Sequence, residues 1–211
     1  AFRQHVAFLH ALGAKIVGVS EQSYSIQGME DTPVFEKKYV MNQEEWKLLT
    51  DGLNRLGKIA LEEYDITLTF HHHMGTVVQD ADEVARLMAE TDPAYVSLLY
   101  DTGHFAYCGV DPLEMVKTHG KRIKHVHLKD IRREVVEQVR AEHLSFLAGV
   151  RLGTFTVPGD GCIAFDEIFE ELSSLGYEGY MLVEAEQDPA KANPLEYAKK
   201  ARAFIREKTG L

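Results

Sequence analysis

The chain has 211 residues, of which 45% are hydrophobic and 27% charged, and its formal net charge is −10. This size and composition favour one globular domain over residues 1–211, with a sizeable core. The negative charge disfavours a nucleic acid or an anionic membrane surface as a partner. No apolar run reaches the roughly 18 residues that a membrane-spanning helix needs. The two cysteines, Cys108 and Cys162, are far apart and predict free thiols in a reducing, cytoplasmic location.

Hydrophobic periodicity predicts helices and strands in alternation along the chain. The first half is predicted to contain helix 2–13, strand 15–19, an irregular loop at 20–39, helix 42–60, strand 66–70, helix 80–89 and strand 96–100. The second half is predicted to contain a helix from 111, strand 123–128, a helical insertion at 131–150, a weak strand at 153–156, helix 165–175, strand 180–183 and helix 193–206. Strands that alternate with helices in this way form a parallel sheet.

The number of predicted strands indicates part of a parallel β/α barrel. Five clear strands and one weak strand fall short of the eight that close a complete barrel of this type. The first residue is Ala1 rather than Met. We therefore expect the chain to be the C-terminal portion of a barrel without its first one or two βα units. No Gly-x-Gly-x-x-Gly motif follows a strand, which disfavours a dinucleotide-binding fold.

Residue types that bind metal ions lie at or just after the ends of four predicted strands. These residues are His71, His72 and His73, then Asp101 and His104, then His125 and His127, and finally Glu184 and Glu186. In a parallel barrel the C-terminal ends of the strands meet on the face that carries the active site. Imidazole and carboxylate groups together suit a divalent metal ion. The sequence therefore predicts a metal centre formed by Asp101, His127 and Glu184.

The triple histidine provides the fourth metal ligand in this prediction. Side chains in a strand alternate between its two faces, so His71 and His73 share one face and His72 points away. Either His71 or His73 is expected to complete the ligand set, and the alternation does not choose between them.

Three further groups are candidates for substrate binding or proton transfer. Gly103 permits a tight turn that would direct His104 toward the site, where an imidazole that titrates near neutrality could act as an acid; the alternative is a loop histidine bonded to the backbone. Lys129 either holds a substrate oxygen or forms an ion pair with Asp130. The glycine-flanked Asp160 is a weak signal, because most such loops are only turns.

Six short motifs resemble those of one known family. They are HHHMGT at 71–76, TDP at 91–93, DTGH at 101–104, HVHLKD at 125–130, TVPGDG at 156–161 and VEAEQDP at 183–189. Together they resemble the xylose-isomerase-like TIM-barrel family of sugar isomerases and epimerases, and within it the dehydratases of inositol catabolism. The family takes a Glu, an Asp, a His and a Glu from successive strand ends as metal ligands. Asp101, His127 and Glu184 match the last three, and the histidines at 71–73 replace the first.

The resemblance implies a metal-dependent carbon–oxygen lyase. The expected reaction removes water from 2-keto-myo-inositol through an enediolate, with Mn²⁺ or Co²⁺ as the expected ion and Zn²⁺ as a further candidate. The implied catalytic residues are Glu184, His104, His73 and Lys129. The implied substrate-binding residues are His104, Lys129, Asp160 and Glu186.

The expected partner is a small polyol or ketose, without nucleic acid or membrane, and a homo-oligomer is one arrangement that the sequence allows. Three alternatives remain at this point. The first is a sugar isomerase or epimerase of the same fold, which the loss of one family glutamate disfavours. The second is a zinc-dependent abasic-site endonuclease, which the net charge of −10 disfavours. The third is a non-catalytic binding protein or an inactive fragment.

Overall fold

The structure, a computed structural model, describes all 211 residues of the chain. Its strands are Ile16–Val19 (β1), Thr67–His71 (β2), Val96–Asp101 (β3), Ile123–Leu128 (β4), Asp130–Ile131 (β5), Phe155–Thr156 (β6) and Met181–Val183 (β7). Its helices are Phe2–Ala11 (α1), Gln43–Tyr64 (α2), Ala81–Glu90 (α3), Thr102–Cys108 (α4), Pro112–His119 (α5), Arg133–Ala141 (α6), Phe146–Leu152 (α7), Phe165–Ser174 (α8) and Pro194–Thr209 (α9). No helix is both long and apolar enough to cross a membrane.

Five of the strands form one parallel sheet in the order β1-β2-β3-β4-β7, with β1 and β7 at its edges. All six residues of β3, the central strand, are buried. A strand covered on both faces can be apolar along its whole length, which explains the unbroken apolar run at 96–100. The five clear strands of the sequence prediction are therefore confirmed. The parallel order places the C-terminal ends of all five strands at the same edge.

The weak strand candidate at 153–156 does not belong to this sheet. Only its last two residues are extended, as β6, and they pair antiparallel with β5 in a separate two-stranded ribbon. Gly153 ends α7 in the left-handed region with φ +93°, so the chain has already turned before the ribbon begins. The candidate is thus a strand, but it is not a strand of the barrel.

The helical insertion expected at 131–150 consists of two helices, α6 and α7, rather than one. His143 has a positive φ of 53°, which interrupts the helix. Ser145 then starts α7, because its hydroxyl accepts the backbone N–H of Ala148. Other predicted helix starts are confirmed by the same kind of contact. Asn42 and Glu45 form a capping box at α2, and Asp111 caps α5 ahead of Pro112.

Two hydrophobic cores hold these elements together. The larger core has 27 buried residues and lies between the sheet and the helices that cover it. The smaller core has eight, contributed mainly by segments that follow the strands, and includes Met74, Phe146 and Phe155. Because these segments follow the strand ends, the smaller core forms a wall beside the edge of the sheet where the predicted ligands lie.

Candidate active site and metal centre

Four predicted ligands meet at the C-terminal edge of the sheet. His71 is the last residue of β2, Asp101 is the last of β3, His127 lies near the end of β4, and Glu184 follows β7. The register pairs Asp101 directly with His127. One ligand atom from each of the four residues lies within 4.8 Å of the others. The convergence predicted from separate strand ends is therefore present in the fold.

The contacts within this four-residue cluster fit a bound cation. The Oδ2 atom of Asp101 lies 3.2 Å from His71 Nε2 and 3.5 Å from His127 Nδ1. His127 Nδ1 is 2.9 Å from Glu184 Oε2, yet neither of these buried atoms has a hydrogen-bond partner of acceptable geometry. Buried polar atoms without partners are rare in proteins. Two imidazoles and two carboxylates that converge in this way offer the donor atoms that divalent metal ions bind.

Two of the four residues in the cluster, Asp101 and Glu184, carry the negative charge that a cation site needs. Burial alone would raise the pKa of Asp101, but Lys129 and the nearby histidines lower it well below its ordinary value. Burial likewise opposes ionisation of Glu184, and His127 and Lys129 outweigh it, which lowers its pKa to about 2. Burial lowers the pKa of His127, but the carboxylates of Asp101 and Glu184 raise it to about 9. Both carboxylates are therefore anionic at neutral pH.

The geometry favours His71 over His73 as the fourth member of this cluster. His71 faces Asp101, whereas His73 belongs to a second group of possible ligands with His71 and His104. The His71 and His73 rings are 3.9 Å apart between centroids, so both lie on the same side of the strand end. Burial, followed by the charge of His71, lowers the pKa of His73 to about 3. We retain the assignment of a ligand as a prediction, now with His71 in that role.

His72 points away from the cluster, as alternation predicts. Its ring is fully buried and stacks on Phe105 with 3.7 Å between centroids. Neither ring nitrogen has a hydrogen-bond partner, and burial lowers the pKa of His72 well below its ordinary value. His72 thus behaves as a neutral aromatic core residue.

Replacing His72 and His73 separately by phenylalanine should separate their roles. His72→Phe keeps an aromatic ring against Phe105 and removes two unpaired polar atoms, so turnover should stay within about twofold and thermal stability should not fall. His73→Phe places an apolar ring beside the four-residue cluster. We expect kcat to fall at least about tenfold, because loss of a polar group at a reacting centre usually slows the reaction. Steady-state kinetics and thermal unfolding measure both effects. Equal losses of kcat in the two variants would contradict the assignment.

Lys129 is a fully buried cation within the cluster. Its Nζ atom lies 3.0 Å from Glu184 Oε2, 3.3 Å from Glu186 Oε2 and 3.6 Å from Asp101 Oδ2. It also lies 4.7 Å from the centroid of the Phe155 ring, in a cation–π position. Burial alone would lower the pKa of Lys129, but Asp101, Glu186 and Glu184 together raise it above its ordinary value. Lys129 is therefore a permanent positive charge at the site.

The alternative in which Lys129 pairs with Asp130 is wrong. The Asp130 carboxylate instead accepts the backbone N–H groups of Ile131, Gly159, Gly161 and Ile163. Neighbouring residues in an extended segment point in opposite directions, so Lys129 and Asp130 cannot face the same group. The Asp130 carboxylate holds the loop at 157–163, while the Lys129 side chain faces the four-residue cluster.

The structure corrects two expectations about the DTGH motif. Gly103 does not form a tight turn, because it lies inside α4, and His104 is in the first turn of that helix. His104 is completely buried, and burial together with Lys129 lowers its pKa well below neutrality. Its Nδ1 lies 3.3 Å from the backbone N–H of Met74, and its Nε2 lies 3.3 Å from the Lys129 ammonium group. His104 is thus a buried, neutral imidazole and not one that titrates near neutrality.

Two carboxylates at the site have different surroundings. The Oε2 atom of Glu186 lies 3.8 Å from His104 Nε2 as well as facing Lys129, and burial raises the pKa of Glu186. Asp160 lies outside the cluster and is already bonded to Arg132, Thr156 and Lys200. Substrate contact by Asp160 stays a prediction, and its present contacts hold the loop at 157–163.

A cavity of about 580 Å³ opens beside the cluster. Its lining includes His71, His73, His125 and His127. Sequence alternation places His125 on the same face as His127 but assigns it no role. The structure adds His125 to the residues within reach of a small molecule in this cavity, and its Nδ1 has no hydrogen-bond partner.

Comparisons with known proteins agree with this fold. A family profile described as the xylose isomerase-like TIM barrel matches residues 1–208. The chain belongs to the xylose isomerase-like TIM barrel family. An inosose dehydratase of Clostridium perfringens is 59% identical over the whole chain, which spans 71% of that relative. An inosose dehydratase of Geobacillus thermodenitrificans is 57% identical over the whole chain, which spans 70% of it. The chain is accordingly a dehydratase, a carbon–oxygen lyase of the hydro-lyase class.

A solved structure supports the fold at lower sequence identity. The IOLI protein, described with a zinc atom bound, superposes on the whole chain with a TM-score of 0.71, and the chain covers 69% of it. The two sequences are 20% identical. At this identity the likeness shows the fold, and the barrel class predicted from the sequence is confirmed.

Proposed function

We propose that this dehydratase removes water from inosose, 2-keto-myo-inositol, to give a trihydroxycyclohexane-dione. The full-length similarity to inosose dehydratases supports this substrate. The observation that carries the proposal is the four-residue cluster with the buried Lys129 directly beside it. We propose His71, Asp101, His127 and Glu184 as the metal ligands. We further propose a small polyol or ketose as the only substrate class, and a cytoplasmic location.

The reaction requires stabilisation of the negative charge that develops on the substrate. A proton on the carbon next to a ketone is too weakly acidic to leave without stabilisation of the negative charge that develops on the ketone oxygen. A divalent ion bound at the cluster would supply Lewis-acid stabilisation of that charge. The mixed nitrogen and oxygen donors favour Mn²⁺ or Co²⁺, with Zn²⁺ as the next candidate.

The residues around the cluster bind and orient the substrate. Lys129 holds a substrate oxygen and stabilises its negative charge, because its ammonium group is fixed and permanently charged. His104 stays a proposed substrate contact, and its Nε2 lies 3.3 Å from the Lys129 ammonium group. The side chains of Glu184 and Glu186 are each 35% exposed, whereas those of Asp101, His104 and Lys129 are fully buried. The two glutamates are therefore the carboxylates at the site that a substrate can reach.

Proton transfer is assigned to Glu186. Glu184 belongs to the four-residue ligand set, while Glu186 lies outside it and faces Lys129 and His104. A carboxylate that is not a ligand keeps its basicity. Glu186 takes the proton from the carbon next to the ketone and returns it to the departing hydroxyl, which leaves as water. His73 lines the cavity on the other side and orients the substrate.

Product analysis tests the reaction. Incubation of the metal-loaded protein with 2-keto-myo-inositol should produce the ultraviolet absorbance of a conjugated dione, and mass spectrometry should show the loss of one water. Glu186→Gln should lower kcat by about 100-fold or more, which is the usual contribution of a general acid or base. Glu196→Gln is the matched control, because Glu196 is an exposed residue that pairs with Lys199 on α9.

Metal removal provides the second arm of the same experiment. Treatment with a chelator should abolish formation of the chromophore, and Mn²⁺ or Co²⁺ should restore it better than Zn²⁺. A product with the mass of the substrate would show an isomerase or epimerase and would overturn the proposal. Turnover that survives complete metal removal would contradict the metal centre.

A further inference from the structure

Thr102 lies where the pairing of β3 with β4 stops. The last paired residues of the two strands are Asp101 and His127. After Asp101 the chain enters α4, so β3 offers no further backbone partner to the residues that follow on the β4 side. The backbone of Lys129 would therefore lose the hydrogen bonds that a continued ladder supplies.

The Thr102 hydroxyl replaces this missing ladder. Its Oγ1 accepts the backbone N–H of Lys129 at 3.0 Å and donates to the backbone C=O of the same residue at 2.6 Å. Thr102 is fully buried, so water does not compete for these bonds. One hydroxyl thus satisfies both polar groups of the Lys129 backbone.

Gly103 completes the surroundings of Lys129. A Cβ atom at this position would lie 2.5 Å from Lys129 Cγ and 2.7 Å from Cδ, closer than non-bonded atoms approach. Gly103 is helical and needs no unusual φ, so its role is to leave space. The alkyl chain of Lys129 passes over this glycine before its ammonium group reaches the carboxylates.

We propose that Thr102 is a positioning residue that sets the Lys129 ammonium group among Asp101, Glu184 and Glu186, with Gly103 providing the channel for the side chain. The proposal rests on the proposed role of Lys129 in binding a substrate oxygen. It accounts for the two residues of the DTGH motif that neither bind metal nor face the substrate. A displacement of about 1 Å at a reacting centre can cost about 100-fold in rate.

Hydrogen exchange tests the contact without activity. Thr102→Val keeps the shape of the side chain and removes both hydrogen bonds between the hydroxyl and the Lys129 backbone. The Lys129 backbone amide, followed by NMR, should then exchange about tenfold faster than in the unchanged protein. Thr102→Ser keeps the hydroxyl and should leave that amide protected. Unchanged exchange of the Lys129 amide in Thr102→Val would overturn the proposal.

Kinetics test the consequence for the reaction. Thr102→Val should lower kcat by about 100-fold, with KM and metal content within about twofold of the unchanged protein, and Thr102→Ser should recover kcat to within about threefold. In a Lys129→Met background, Thr102→Val should cause no further loss, because the group that it positions is gone. An equal further loss in that background would overturn the proposal.

Two further results are interpreted separately from these kinetic effects: normal turnover in Lys129→Met, and failure of Thr102→Val to fold. If Lys129→Met alone keeps normal turnover, the proposed role of Lys129 fails, while amide exchange still decides whether Thr102 holds its backbone. If Thr102→Val does not fold, Thr102→Ala takes its place in the same double-mutant cycle, because it also removes the hydroxyl. Thr102→Ala should lower kcat in the presence of Lys129 and cause no further loss of kcat in Lys129→Met, and a loss that is independent of Lys129 would count against the proposal.

Discussion

Replacing Asp101 by asparagine is expected to empty the metal centre. The substitution removes one of the two carboxylate charges in the cluster, and that carboxylate faces both His71 and His127. An amide oxygen is a poorer ligand for a divalent ion than a carboxylate. We expect metal stoichiometry to fall from about one ion per chain to near zero, and kcat to fall by more than about 1,000-fold. Inductively coupled plasma mass spectrometry and steady-state kinetics measure the two effects.

This substitution isolates the role of Asp101 as a ligand because it preserves a second role. Asp101 Oδ1 also caps α4 by accepting the backbone N–H of His104 at 2.8 Å, and asparagine caps helices as well as aspartate does. The matched control is Asp111→Asn, since Asp111 caps α5 in the same way but lies outside the site. Full metal content in Asp101→Asn would show that the ion binds elsewhere.

Replacing Lys129 by methionine is expected to have the largest effect on chemistry without loss of the metal. Methionine keeps much of the alkyl chain and removes the charge that we place on the substrate oxygen. Loss of one such preorganised donor typically lowers kcat by about 100- to 1,000-fold. Metal content should not decrease, because Lys129 supplies no ligand and its positive charge opposes a cation. Kinetics and metal analysis together separate this outcome from that of Asp101→Asn.

The same substitution should change stability in a way that depends on metal. Asp101 and Lys129 are both fully buried, and removal of one partner of a buried pair typically costs about 3–5 kcal/mol. A bound divalent ion would replace the lost positive charge. We therefore expect a large drop in melting temperature in the presence of a chelator and a smaller drop with metal bound. Lys124→Met, an exposed position on the same strand, is the control. An equal drop with and without metal would contradict this electrostatic account.

The order of strands and the residue types at their ends could be predicted because both depend on neighbours in sequence. Alternation along β2 placed His72 opposite His71 and His73, and the structure confirms it through the stacking of His72 on Phe105. Side-chain caps such as that of Asn42 on α2 act within three residues and were equally accessible. The positions of Asp101, His127 and Glu184 at strand ends predicted that they converge, which the fold shows.

Other features depend on distances that no local pattern contains. The preference for His71 over His73 follows from the direction of their rings relative to Asp101, thirty residues away on the neighbouring strand. The neutral state of His104 follows from complete burial and from the Met74 amide, which belongs to a different loop. Its ordinary pKa suggested an acid, whereas desolvation lowers the pKa of His104 well below that ordinary value.

The sequence by itself therefore determined the barrel class, the strand ends that carry ligands, and the face on which each histidine lies. Only the tertiary structure decided which charged side chains lie next to one another. Lys129 is surrounded by carboxylates from two other strand ends, and Gly103 is required because that lysine passes over it. Periodicity and capping act over a few residues, whereas these contacts depend on strand register and on the point where β3 gives way to α4.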